Sequence, residues 1–71
     1  MTIFTKRLVE AMAQKNLSVL ELSKYAGISD SCVYSYLTRD AIPNAFTLAC
    51  MADVLEVSMD WLWGRNEVKA K

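Results

Sequence analysis

Apolar residues recur along most of the chain at the three-to-four spacing of a buried helix face. Phe4, Leu8 and Ala11 form one stripe. Val19, Leu22 and Ala26 form a second, and Leu48, Met51, Ala52 and Leu55 a third. A helix places residues three and four apart on one side, so each stripe reads as a face turned toward a core. No segment alternates apolar and polar residues like a half-buried strand, and the valines stand singly inside helical patterns. The pattern predicts an all-α chain.

Capping chemistry predicts the boundaries. Thr2 is set to cap a first helix running to about Gln14, with Lys15-Asn16 breaking it. Ser18 and Glu21, three residues apart, form a capping box in which each side chain satisfies the other's orphan backbone N–H. That opens a second helix of about eight residues. Gly27 ends it by supplying a positive φ that a residue with a Cβ resists. Ser29 caps a third helix running to about Thr38, and Thr38 to Pro43 is a loop because Pro43 disfavours helix at Ile42. Asn44 caps a fourth helix through about Leu55, and Ser58 caps a short fifth one that Gly64 stops.

Composition narrows the function classes. At 71 residues, 54% hydrophobic and 23% charged, with two glycines and one proline, the chain reads as one small globular domain rather than a disordered segment. Eight Lys and Arg balance eight Asp and Glu, a neutrality that argues against non-specific nucleic-acid or membrane binding. The absence of histidine removes the commonest general base and the commonest metal ligand. Cys32 and Cys50 stand alone, whereas a zinc site takes about four ligands at close spacing. Both cysteines read as small apolar residues in a reducing compartment. No charged-then-apolar leader opens the chain and no apolar run approaches about 18 residues. The expectation is a soluble, cytoplasmic protein with no membrane contact, no metal, no cofactor and no small-molecule effector. Nor is there an acid–base or nucleophile–base pair that makes an enzyme.

Ser18 to Leu37 holds the chemistry that remains. Two short helices meet at a tight turn around Gly27-Ile28-Ser29, and small Ser23 sits where the second helix presses on the third. Leu22, Ala26, Ile28, Val33 and Tyr36 fall where two crossing helices need apolar contacts. This is the arrangement of a helix-turn-helix, whose second helix enters the DNA major groove.

Further residues extend the pattern: Asn16-Leu17-Ser18, Glu21-Leu22, Ala26-Gly27-Ile28-Ser29, and Pro43 ahead of Thr47-Leu48. The closing stretch runs Met51-Ala52, Leu55, Val57-Ser58, Asp60-Trp61-Leu62 and Gly64. On these residues the chain resembles the lambda-repressor-like, Cro-type helix-turn-helix regulators, the xenobiotic-response-element family, over about residues 4 to 64. The resemblance implies a compact five-helix bundle, in agreement with the segmentation from caps and periodicity. It divides the chain into a DNA-binding domain, residues 1–64, and a polar tail, residues 65–71, that reads as disordered.

The resemblance also implies site residues. Asp30, Ser31, Tyr34, Ser35 and Thr38 share one face of the third helix, while Val33, Tyr36 and Leu37 point inward. The base-reading positions of the family correspond to Ser29, Asp30, Ser31, Tyr34 and Ser35. Hydroxyls both donate and accept, so Ser31 and Ser35 discriminate weakly alone, whereas Asp30 can accept from a cytosine amino group. Phosphate contacts fall to the helix N-termini at Ser18 and Val19 and at Asn44, to Thr38, and to the cations Lys24 and Arg39 with Lys15 behind them. Trp63, out of phase with the core positions Trp61 and Leu62, is the candidate anchor of a homodimer. Dimers of this fold meet two half-sites of a near-palindromic operator about 34–36 Å apart.

Departures from the family pattern bear on affinity. Thr38-Arg39-Asp40 stands where the loop usually carries glycine followed by lysine or arginine, and Val19 where many relatives carry glutamine. Met12 replaces an arginine that pairs with the glutamate at position 21, which leaves Glu21 its capping role. Asp30 and Asp40 add negative charge beside the DNA face. Residues 1–39 carry five cations against three anions and residues 40–71 the reverse, so the DNA half is near +2. Three or four neutralised phosphates per subunit give a log–log salt slope of about −3. Two readings stay open. One is a sequence-specific regulator of the phage Cro or repressor kind that covers an operator. The other is a protein-interaction module on the same fold, antirepressor- or antitoxin-like, with weak or no DNA binding.

Overall fold

Side-chain caps open all five helices in the computed structural model, which describes residues 1–70. Thr2, Ser18, Ser29, Asn44 and Ser58 each accept a hydrogen bond from a backbone N–H three residues on. They start α1 (Ile3–Lys15), α2 (Val19–Ala26), α3 (Asp30–Thr38), α4 (Ala45–Leu55) and α5 (Met59–Trp63). No strand occurs among the described residues, and the expected all-α bundle is the observed one. α1 runs one residue beyond the expected Gln14, because Asn16 takes the left-handed cap at φ 55° and satisfies the carbonyls of Met12 and Ala13.

Gly27 and Gly64 close α2 and α5 at φ 73° and 98°. A Cβ on Gly27 would meet no atom within 4 Å, whereas one on Gly64 would lie 2.8 Å from Ile3 Cγ2. Gly27 is therefore required by its backbone angle, and Gly64 by its angle and by the approach of α1 as well.

The apolar stripes converge as the pattern predicts. Leu8, Leu22, Val33, Met51 and Leu62 are fully buried, and Phe4, Tyr36, Leu55 and Trp61 complete the core around them. α2 packs most extensively on α3, and it also lies against α4. Ser23, buried as expected at that contact, donates its hydroxyl to Leu20 O at 2.8 Å, so no polar atom is stranded there. Thr5, almost completely buried on α1, donates to Tyr36 O at 2.8 Å and ties the last turn of α3 to the bundle. α3 is thus held along its inner face by α2 and near its C-terminus by α1.

Cys32 is exposed on α3 and Cys50 is half-buried, both as free thiols. Two expectations need correction. The segment from Arg65 to Ala70, expected to be disordered, lies against α1 and α5: Ser58 N–H donates to Lys69 O and Arg65 N–H to Asp60 O. Asp40 does not face the DNA side freely. It takes φ 53°, accepts from Thr2 N–H at 3.2 Å and lies 3.7 Å from the N-terminal ammonium.

The capping box is formed in full, with Ser18 N–H donating to Glu21 Oε1 at 2.9 Å and Glu21 N–H to Ser18 Oγ at 3.1 Å. The backbone N–H of Ser18 first, and its hydroxyl second, hold the Glu21 carboxyl below its ordinary pKa. A depressed folded-state pKa contributes stability above the unfolded value that is lost as pH falls through the folded value. Glu21→Gln should therefore be less stable than the parent at neutral pH and approach it in acid. Urea midpoints of both proteins between about pH 6 and 3 check this; a gap that stays constant contradicts it.

Candidate nucleic-acid interface

The outer face of α3 is polar and short in side chain. Asp30, Ser31, Tyr34 and Thr38 are exposed there and Ser35 is half-buried, while Val33 and Tyr36 face the core and Leu37 packs against it. Ser31, Tyr34, Ser35, Thr38 and Arg39 line one shallow open cleft. The structure therefore brings Arg39 alongside three of the expected base readers.

Backbone bonds already occupy much of this face. Ser29 Oγ caps Cys32 N–H at 3.2 Å, and Asp30 Oδ1 accepts from Ser31 N–H at 2.9 Å. Ser35 Oγ donates to Ser31 O at 3.0 Å and Thr38 Oγ1 to Tyr34 O at 2.7 Å. Thr38 was expected on a phosphate, which needs a donor, yet its single proton is committed to the helix. Tyr34 stands out from the helix at 52% exposure with its ring edge available to a base methyl or its hydroxyl to a phosphate.

The expected phosphate sites are unequal. At the N-terminus of α2, beside Ser18 and Val19, the Glu21 carboxylate occupies the first turn and already answers the helix dipole. The N-terminus of α4 carries no acidic residue in its first turn, and Asn44 Oδ1 caps Thr47 N–H at 2.8 Å. Its leading N–H groups, at Ala45 and Phe46, suit an anion better. Lys24 and Arg39 make no ion pair among the described residues, whereas Lys15 is held 2.5 Å from Glu56 on the far end of α4. Lys15 therefore drops out as a supporting phosphate contact.

Trp63 lies at the edge of a second surface. Its ring sits 6.0 Å from that of Phe4, and 37% of the residue stays exposed. Two shallow apolar hollows flank it, one lined by Ile3, Phe4 and Ile42 and the other by Pro43, Ala45 and Leu48. Ile42 is 68% and Phe46 78% exposed. Sequence reasoning found the tryptophan but not its exposed apolar neighbour Ile42, which lies in a loop where no stripe marks it.

Sequence reasoning also missed the Arg7 cluster. Arg7 donates to Trp61 O at 2.6 Å and Asn66 O at 2.8 Å, pairs with Glu67 at 3.2 Å, and stacks 5.0 Å from the Trp61 ring centre. Lys69 stands 4.9 Å from the same ring, 2.9 Å from Glu10, and bonds Gln14. These contacts position α5 against α1, and so fix where Trp63 points.

No helix among the described residues is long and apolar enough to cross a membrane. Over residues 4–69 the chain matches the family described as the bacteriophage CI repressor helix-turn-helix domain. No curated protein matches it.

Proposed function

The chain belongs to the bacteriophage CI repressor helix-turn-helix domain family and is a DNA-binding regulator of the lambda-repressor-like kind; from that premise we propose that it represses by covering a near-palindromic operator as a homodimer. In this reading each subunit lays α3 in the major groove, with Ser29, Asp30, Ser31, Tyr34 and Ser35 toward the bases. Arg39, Lys24 and the N-termini of α4 and α2 hold the phosphates on either side. The observation that carries the reading is the outer face of α3: a polar strip braced from behind by α2 and tied down by Thr5, with Arg39 at its rim. A rigid element of that kind keeps its register on a groove without an ordering cost on binding.

The second copy meets the first through Trp63 and the exposed Ile3 and Ile42 beside it. A monomer that brings Lys24, Arg39 and one uncontested helix end to the phosphates binds DNA weakly, so pairing two reading helices supplies the affinity. Trp63→Ala should shift the sedimentation equilibrium toward monomer by at least about tenfold, as expected for a central aromatic anchor. A parent that is monomeric at high concentration removes the dimer. An unchanged equilibrium in the variant removes Trp63 as its anchor.

Selection of bound duplexes from a random-sequence pool at low salt tests the function itself. Enrichment of a short near-palindromic site upholds a DNA-reading repressor. Recovery of nothing above background contradicts it and points to the protein-interaction reading of the same fold.

A further inference from the structure

A helix that reads DNA through hydroxyls is ambiguous on paper, because each hydroxyl donates and accepts. The observed bonds remove much of that ambiguity on α3. A carbonyl oxygen only accepts, so Ser35 Oγ, 3.0 Å from Ser31 O, must spend its proton there. Thr38 Oγ1 does the same toward Tyr34 O at 2.7 Å. What both hydroxyls present outward is lone pairs. Asp30 adds a carboxylate with one oxygen on Ser31 N–H and the other, Oδ2, unengaged by any described hydrogen bond.

We infer that the reading face of α3 is an acceptor surface, and that Ser35 with Asp30 selects the exocyclic amino groups of adenine or cytosine rather than the acceptor edge of guanine. The inference rests on the placement of α3 in the major groove proposed above. There guanine shows only N7 and O6, both acceptors, whereas adenine shows N6–H and cytosine N4–H. An incoming amino group adds a bond to Ser35 without disturbing the one to Ser31 O. An incoming guanine edge at Ser35 must first break that bond, and one at the start of the helix meets the Asp30 carboxylate. Ser31 and Tyr34 keep their donors, so the acceptor character belongs to Ser35, Thr38 and Asp30, while Arg39 in the same cleft suits a phosphate.

The test uses the intact protein and the operator selected from the random pool. Base analogues are placed singly at each position of one half-site. Purine replaces adenine and 2-pyrimidinone replaces cytosine, each deleting an amino group, while 7-deazapurines delete the N7 acceptor. Removing the amino group at one or two base pairs should weaken binding about fivefold, the worth of one hydrogen bond. That penalty should vanish in Ser35→Ala or Asp30→Ala, which separates lost recognition from a weakened base pair. Deletion of N7 should change affinity by less than about twofold at the same positions. A penalty on N7 deletion with silent amino deletions overturns the inference, as does indifference to both; in either case the selected site still upholds the DNA reading. Failure to enrich any site overturns the DNA reading and the inference together.

Discussion

Leu22→Ala should lower the stability of the protein by about 2–5 kcal/mol, the cost of emptying a fully buried leucine site that cannot collapse. Leu22 is 0% exposed on α2, at the point where that helix backs onto both α3 and α4. A domain of this length has a total stability of about 4–10 kcal/mol, so the loss is a large fraction of it and exceeds it at the unfavourable end of both ranges. Thermal unfolding should show a midpoint lower by about 10 °C or more. DNA binding should fail alongside folding, because α2 is what holds the reading helix in place. A shift below about 5 °C would mean that α2 is not the brace described here.

Arg7→Ala should be the costliest change at a charged residue, at about 2–3 kcal/mol, although Arg7 reads in the sequence as one more solubilising cation. Its side chain is only 15% exposed, and it joins Trp61 O, Asn66 O and Glu67 to the Trp61 ring face. Bonds to an ionised donor are the stronger kind, and truncation removes the packing of the stem as well. The exposed Glu67 contributes little of this, since pairs open to water are worth less than about 1 kcal/mol. Arg7→Lys keeps the charge but loses the planar fork, so it should fall between parent and alanine variant. Urea denaturation gives the magnitude, and tryptophan fluorescence in a Trp63→Phe background, where Trp61 is the remaining tryptophan, gives the location. A loss under about 0.5 kcal/mol in Arg7→Ala would place Arg7 among ordinary surface residues.

Local chemistry made the helices legible. Every cap residue expected from the chain is the observed cap, and the one misjudged end, at Gln14, moved by a single residue because Asn16 tolerates the left-handed region. The capping box at Ser18 and Glu21 and the turn at Gly27 are short-range features whose geometry needs no knowledge of the rest of the fold. The tail was illegible for the opposite reason. Arg7 meets Glu67 sixty positions away and Lys69 meets Glu10 fifty-nine positions away, and no periodicity announces such pairs. A composition rich in charge then reads as solvated chain.

The candidate site divides in the same way. Helical periodicity separated the outer face of α3 from Val33 and Tyr36, and burial follows that division. It carried no information about rotamers, so the commitment of the Ser35 and Thr38 protons to carbonyls one turn back was not readable. The same limit applied to Asp40, whose side chain turns away to Thr2 and the N-terminal ammonium. Lys15 looked available until its partner Glu56 was seen at the end of α4. Charges in a sequence are a supply of contacts, and only the fold shows how many are spent inside it.

The central claim is that the outer face of α3 reads DNA. It is tested most directly by Ser31→Ala combined with Ser35→Ala, assayed for operator affinity beside thermal unfolding. Both positions lie outside the apolar core, so the unfolding midpoint should move by no more than a few degrees. Specific binding should be lost while weak, salt-sensitive binding through phosphates persists. A doubly substituted protein that folds and holds the operator as tightly as the parent would contradict the claim.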